Sequence, residues 1–237
     1  MRVFIATSSF DHRLDDLVVA SIQRVARNMR QHGHEVAEFR PYSCLYVDQG
    51  RNTITIDALA DGVDAILYWD ADQTIYFEPK DDLAALFNIG PVVTAAYVSR
   101  HRPQYYVLWE RASGGWRMLT QEDMLGRREP FPVHKCGAGA LWVRREVLEK
   151  IPHPWWVAGW HSRGAWVGED MFFCDLVKSA GYEILCQPAI CTGHMTSGML
   201  VHRPGGGYHK VPGDIVTDEM LRIRAGDAMQ RSFVEDV

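Results

Sequence analysis

No apolar run in the 237 residues approaches the length of a membrane span. The opening MRVFIATSSF lacks the basic-then-apolar layout of a secretory signal. Both absences make a cytoplasmic protein the expectation. Disulfide spacing is also missing: Cys44, Cys136, Cys174, Cys186 and Cys191 are odd in number, irregularly placed and without a CxxC, which reads as reduced thiols. Cys186, Cys191 and His194 are the one set that could form a soft metal site, but they lack the short spacing that zinc motifs favour. Excess positive charge is absent, since Lys plus Arg number 25 against 30 for Asp plus Glu, a net charge of −5. That excludes a strongly basic nucleic-acid binder while leaving room for a local basic groove. There is no internal repeat, low-complexity tract or clear linker.

What is present is an ordinary globular composition, 47% hydrophobic and 23% charged. A chain of this length buries roughly 70% of its unfolded surface and needs neither disulfide nor structural metal. Aromatic residues make up 11% and include eight Trp.

Strand and helix patterns alternate through the first hundred residues. Arg2 to Ala6 reads as a buried strand leading into Thr7-Ser8-Ser9. Leu14 to Gln31 reads as a helix, with Val18, Ile22, Val25 and Met29 on one stripe and Gly33 as its stop. His34 to Arg40 is a second strand broken by Pro41, Arg51 to Ala60 a helix, Asp64 to Trp69 a third strand, Lys80 to Phe87 a helix and Pro91 to Val98 a fourth strand. This order predicts a mostly parallel sheet with helices on both faces, whose ligands collect at the carboxyl ends of the strands. Beyond it, Tyr105 to Glu110 and Trp116 to Thr120 read as a hairpin, a small antiparallel element. Gly139 to Val143 is a strand and Arg145 to Ile151 a helix. Pro152 to Gly168 is a Trp-rich loop, Glu169 to Ala180 a helix and Tyr182 to Gln187 a strand. From Thr196 the Gly- and Pro-rich tail reads as a mobile loop before a last short helix.

Four groups of residues could carry chemistry. Trp69-Asp70-Ala71-Asp72 ends a hydrophobic strand in two carboxylates one residue apart. Their mutual repulsion calls for a cation, and a hard divalent ion is the natural one, although two solvated acids at a turn are the plainer explanation of an isolated DxD. Gly168-Glu169-Asp170 opens a helix, where acids serve as caps or, at a sheet edge, as a general base. Cys191-Thr192-Gly193-His194 follows a strand. Gly137-Ala138-Gly139 admits close backbone approach.

In that order, the four groups resemble the glycosyltransferases of the GT-A fold, nearest to short single-domain, family-2-like enzymes of phage and bacterial type. The matching stretches are DAILYWDADQTIYFEP (64–79), PVVTAAYVSR (91–100), CGAGALWVRREVLEKI (136–151) and GEDMFFCDLVKSAGYEILCQPAICTGH (168–194), with Arg51-Asn52 before the DxD strand. The resemblance implies one domain over 1–237: a nucleotide-sugar half to about residue 100, an acceptor and catalytic half to about 195, and a tail or lid after it. It implies a Mn²⁺ or Mg²⁺ ion on Asp72 and His194, with Asp70 at the ribose or acting through metal-bound water. Thr7 and Ser8 would face the nucleotide, Arg51 its base or ribose, and Gly137, Ala138 and Gly139 the donor sugar. Asp170 would be the base of an inverting reaction with Glu169 beside it. Lys210, with His202, Arg203 and His209, would close over the diphosphate.

The implied function is transfer of a sugar from a nucleotide-diphosphate sugar, a UDP-sugar first, to an acceptor hydroxyl. The acceptor is a saccharide, a lipid-linked sugar, a protein or a hydroxymethylated base in DNA. For DNA, Arg100, His101, Arg102, Arg127, Arg128, Lys135, Arg144, Arg145 and Arg163 would build a basic rim. One or two of Trp155, Trp156 and Trp160 would line the acceptor side. The alternatives are a catalytically idle binding domain on the same fold, a retaining transferase, or a nucleotidyltransferase. The last lacks its Gly-rich basic loop after the first strand. The chain also departs from the family in its Ala-Thr-Ser-Ser strand end, and Glu38 is its sole candidate for reading a uracil ring.

Overall fold

The structure, a computed structural model, describes residues 1–9, 14–37, 40–101, 103–160, 164, 166–196 and 198–212. The chain runs through β1 (Arg2–Ser9), α1 (Asp16–Gln31), β2 (Glu35–Val36), β3 (Arg40–Ser43), α2 (Val47–Ala60), β4 (Ala65–Asp70), β5 (Gln73–Tyr76), α3 (Leu83–Phe87) and β6 (Val92–Ala95). It continues with β7 (Leu108–Ala112), β8 (Gly115–Met118), α4 (Gln121–Met124), β9 (Phe131–Val133), β10 (Lys135–Cys136), β11 (Ala140–Arg144) and α5 (Arg145–Lys150). The last described elements are β12 (Gly159–Trp160), β13 (Trp166–Val167), α6 (Glu169–Ser179), β14 (Ile184–Gln187), β15 (Cys191–Met195), β16 (Gly198–Arg203) and β17 (Gly207–Pro212).

The central sheet has the order β2-β1-β4-β11-β6-β14-β9, with β3 continuing along the edge of β1 that β2 begins. It is a mixed sheet in which six of eight strands run one way and β11 and β9 run against them. β1 lies parallel to β2, β3 and β4, and β6 to β14, but β11 runs antiparallel to both neighbours and β9 antiparallel to β14. Pro41 does not end the second strand as expected. It sits within β3, on the edge of the sheet, where a residue without an N–H is tolerated.

Alternating residues of β1 and β4 feed two cores. Val3, Ile5, Leu67 and Trp69 pack beneath α1, whose Val18, Ile22, Val25 and Met29 are all buried. Phe4, Ala6, Ile66 and Tyr68 pack on the opposite face with Ile54 and Ala58 of α2 and Phe173 and Val177 of α6. Helices therefore cover both faces, as the pattern predicts.

A second, antiparallel sheet in the order β17-β16-β15-β5 springs from the turn after Asp70. Sequence reading misses β5 and β15 and takes the segment after Thr196 for a mobile loop. Instead β16 and β17 form a hairpin whose Met199, Leu200, Val201 and His202 are buried. Its turn contains Gly205 and Gly207, which adopt positive φ angles of 71° and 75°. The expected last short helix lies outside the described residues. No helix among the described residues is long and apolar enough to cross a membrane.

Candidate active site

The parallel register sets Ser8 beside Asp70, and Thr7 beside Trp69, at the carboxyl ends of β1 and β4. Asp70 closes β4, and its N–H donates to Gly139 O at 3.1 Å, which ties it to the entry of β11. The first turn of α6 brings Glu169 and Asp170 to the same place, and α2 brings Arg51 between the acids. Arg51 Nη2 donates to Asp70 Oδ1 at 2.7 Å while Nη1 donates to Glu169 Oε1. Burial alone would lower the arginine pKa, but the carboxylates of Asp70, Glu169 and Asp170 outweigh it and hold the pKa above its ordinary value. The guanidinium also lies over the Trp156 ring, 5.1 Å from its centroid.

Asp170 behaves differently. Burial, then the neighbouring Glu169 charge, push its carboxyl up to about 6 against the pull of Arg51. A carboxyl so poised changes protonation near neutral pH, which suits a general base. Its Oδ1 accepts the Met171 N–H at 2.8 Å.

The turn after β4 carries Asp72 toward β15. His194 Nε2 stands 3.4 Å from Asp72 Oδ2, and Arg100 Nη1 stands 2.9 Å from the same oxygen. Burial would raise the Asp72 pKa, but His194 and Arg100 outweigh it and keep the carboxyl ionised. His194 Nδ1 donates to Val98 O at 2.6 Å, which turns Nε2 toward the Asp72 carboxylate. Metal-binding histidines are oriented by such a backbone contact. Among the described residues no three His, Cys, Asp or Glu side chains gather as a metal-holding group. The site therefore offers two donors, Asp72 and His194, which suits a hard ion that takes its other ligands from phosphate and water. Asp70 gives one oxygen to Arg51. Cys186, Cys191 and His194 do not gather; Cys191 Sγ donates instead to His202 O at 2.8 Å.

Other expected site residues have structural partners. Thr7 is fully buried and its hydroxyl donates to Trp69 O. Gly137 and Gly139 face Tyr97: a Cβ on either would lie 1.9 Å from the Tyr97 hydroxyl or 2.8 Å from its ring, and Ala138 between them is buried. Lys210 lies exposed on β17. It shares a cross-strand row with Leu200, His194 and Gln73, two strands from the histidine. Trp155 and Trp156 are core residues. Trp156 stacks on Phe173 at 4.2 Å, and Trp155 Nε1 donates to Leu148 O. Of the three Trp expected on the acceptor side, Trp160 alone is exposed. Glu38, Arg102 and Arg163 lie outside the described residues.

Tyr97 is the member of the cluster that sequence reading missed. Its hydroxyl accepts the Gly139 N–H at 3.1 Å, and its ring meets His194 edge-on at 5.7 Å. Burial, reinforced by the Asp70 and Asp170 charges, raises its pKa well above the ordinary tyrosine value, so it stays a neutral phenol. The one signal for it was the pair of glycines forty residues downstream. Asn52, next to Arg51, has a structural part: its amide donates to Trp156 O and accepts the N–H of Trp155 and Trp156, clamping that loop to α2.

No protein-family model and no curated protein matches the chain. Among solved structures, A197 from STIV is similar in fold, with a TM-score of 0.59, 18% identity, and coverage of 89% of this chain and 94% of that one. A glycosyltransferase involved in the glycosylation of the major capsid of PBCV-1 matches at a TM-score of 0.34 and 14% identity over 62% of each chain. A nucleoside-diphosphate-sugar pyrophosphorylase from Vibrio cholerae RC9 matches at 0.40 and 12% identity, over 79% of this chain and 91% of that one. At this identity the first likeness concerns the fold alone, and the other two are too distant to bear on chemistry.

Proposed function

We propose that the chain is a glycosyltransferase that takes a sugar from a nucleotide-diphosphate sugar, using a divalent cation, and passes it to an acceptor hydroxyl with inversion. The observation that carries this reading is the poise of Asp170: a carboxyl near neutrality beside Asp70, Glu169 and a compensating Arg51, at the carboxyl edge of the sheet. Asp170 accepts the acceptor's hydroxyl proton as that oxygen bonds to the anomeric carbon. The bond from that carbon to phosphate breaks, and the nucleoside diphosphate leaves with the electron pair. Asp72 and His194 would hold Mn²⁺ or Mg²⁺. When bound, the ion supplies positive charge against the charge gathering on the diphosphate. Arg51 holds Asp70 and Glu169 in place through one guanidinium nitrogen each, and Tyr97 spaces the Gly139 backbone from His194.

A panel of nucleotide sugars, UDP-sugars first, tests the reading. With Mn²⁺ present, at least one donor should raise the melting temperature and be hydrolysed or transferred, with inversion seen in the anomeric signals by NMR. Asp72→Ala should lose the metal-dependent part of donor binding. A panel in which no donor protects or turns over would remove the proposal. One observation favours a second reading, a binding domain without turnover: Arg51 already occupies both Asp70 and Glu169. Protection by a donor without turnover supports that second reading.

A further inference from the structure

We propose that Trp160 and Trp166 form a platform for a neutral oligosaccharide, which is the acceptor if the transferase reading holds. The two residues are direct cross-strand partners in the β12–β13 pair, so both side chains stand on one face. Their rings meet edge-to-face at 5.8 Å and remain 75% and 59% exposed. Leaving a large aromatic in water forgoes roughly 1.5–3 kcal/mol of burial apiece, and an exposed aromatic cluster marks a binding surface more often than a lone residue does.

The path of the chain places this face beside the acid cluster. Trp156 O accepts from Asn52, and Ala158 N–H donates to Asp48 Oδ2 at 3.3 Å. The loop thus runs along α2 toward its N-terminus, about 6 Å for those four helical residues. On the other strand, Trp166 leads through Val167 and Gly168 straight into Glu169 and Asp170. Four residues of chain span at most about 14 Å. A ligand lying on the rings therefore starts within about 14 Å of Asp170 along the chain.

Charge selects the occupant. Asp48 accepts from Ala158, two residues before Trp160, and Glu169 and Asp170 follow Trp166 by three and four residues, so the charges tied to this stretch of chain are acidic. Of the basic residues expected to form a rim, Arg100, Lys135, Arg144 and Arg145 are paired with Asp72, Asp175, Glu146 and Glu149. Acids at these described positions disfavour a nucleic-acid backbone or an anionic bilayer. A neutral sugar presents apolar C–H faces to aromatic rings and hydroxyls to indole N–H donors, and matches both.

The test uses the full chain and needs no donor. Neutral linear hexasaccharides of glucose, mannose and N-acetylglucosamine are titrated calorimetrically against wild type, Trp160→Ala, Trp166→Ala and the double variant. A twelve-nucleotide single strand and phosphatidylcholine vesicles with and without phosphatidylglycerol are run beside them. At least one hexasaccharide should bind. Each single change should weaken it on the order of tenfold, about 1.4 kcal/mol. The melting temperature should hold within about 2 °C, and Phe at both positions should restore part of the affinity. The proposal falls if no hexasaccharide binds, if the double variant binds equally well, or if DNA or vesicles bind through these two residues instead. Glycan binding with no accepted nucleotide sugar leaves the platform standing and removes the transferase reading. Donor turnover without glycan binding does the reverse.

Discussion

Arg51 Nη2 donates to Asp70 Oδ1 at 2.7 Å, so the acid that ends β4 is held by a buried cation from α2. The same guanidinium holds Glu169, and its side chain is only 5% exposed. Arg51→Met leaves Asp70, Glu169 and Asp170 facing one another without compensation. Removing one partner of a buried pair costs about 3–5 kcal/mol, and the partial exposure of both acids puts the expected loss near the lower end. Adding Asp70→Asn and Glu169→Gln to that variant should recover most of it. Urea unfolding of the single and combined variants gives the coupling. Losses that simply add would mean that Arg51 contributes packing on Trp156 and little charge compensation.

Gly137 and Tyr97 make a second coupled pair. A Cβ at position 137 would fall 1.9 Å from the Tyr97 hydroxyl and 2.7 Å from Val107 Cγ1. Gly137→Ala should therefore cost about 1–3 kcal/mol through overpacking. Tyr97→Phe removes the nearer obstacle, so the double variant should lose less than the sum of the two singles. Additive melting curves would show that the ring can move aside freely. That result would also leave room at the glycines for the donor sugar that the family resemblance places there.

Much of this arrangement was legible in the sequence. The stripe Val18, Ile22, Val25 and Met29 and the apolar strands of β1 and β4 carry strong local patterns and land where the pattern puts them, while the acids after Trp69 and Gly168, weak signals singly, stand out only by their order. The direction of β11 did not show, because strand direction depends on the long return through β7 to β10 and leaves no mark on five apolar residues. β16 and β17 were hidden by glycines that serve the hairpin turn but resemble a loose tail by composition. Arg51 reads equally well as a ligand contact or an ion-pair partner until Asp70 and Glu169, far apart in sequence, are seen on either side of it.

His202 fastens that hairpin and gives it a pH dependence. Its Nδ1 pairs with the Tyr106 hydroxyl at 2.9 Å and its Nε2 with Pro188 O at 3.1 Å. Burial pushes its pKa down to about 4, so the folded state holds it neutral. For a depressed pKa the stabilisation is fully present above the unfolded value, near 6.5, and is lost as pH falls toward 4. The loss should be on the order of 2–3 kcal/mol. Urea midpoints of wild type and His202→Gln at pH 7.5 and 4.5 isolate it, since other titrating groups cancel in the difference. The variant should flatten the slope. An unchanged slope would mean that the imidazole is already charged or freely hydrated.

Asp170 offers the sharpest test, because its two consequences have opposite signs. Its pKa, raised to about 6 mainly by burial, means that ionisation costs the folded state stability. The favourable contribution is present below about 4 and is lost as pH rises through 6. Asp170→Asn should thus be more stable than wild type at pH 7.5, by about 1–2 kcal/mol, and gain nothing at pH 4. Activity should move the other way. Transfer by wild type should climb with pH through about 6 as the base ionises. The variant should keep donor and metal binding but lose transfer by a factor on the order of 10² to 10⁴. A catalytic carboxylate kept at a cost in stability produces this pairing, whereas a cap at the start of α6 does not, since Asn serves there as well as Asp. A variant that is more stable and still transfers at the wild-type rate would make Asp170 a strained structural acid. The proton acceptor would then have to be sought in Glu169, which Arg51 holds beside it.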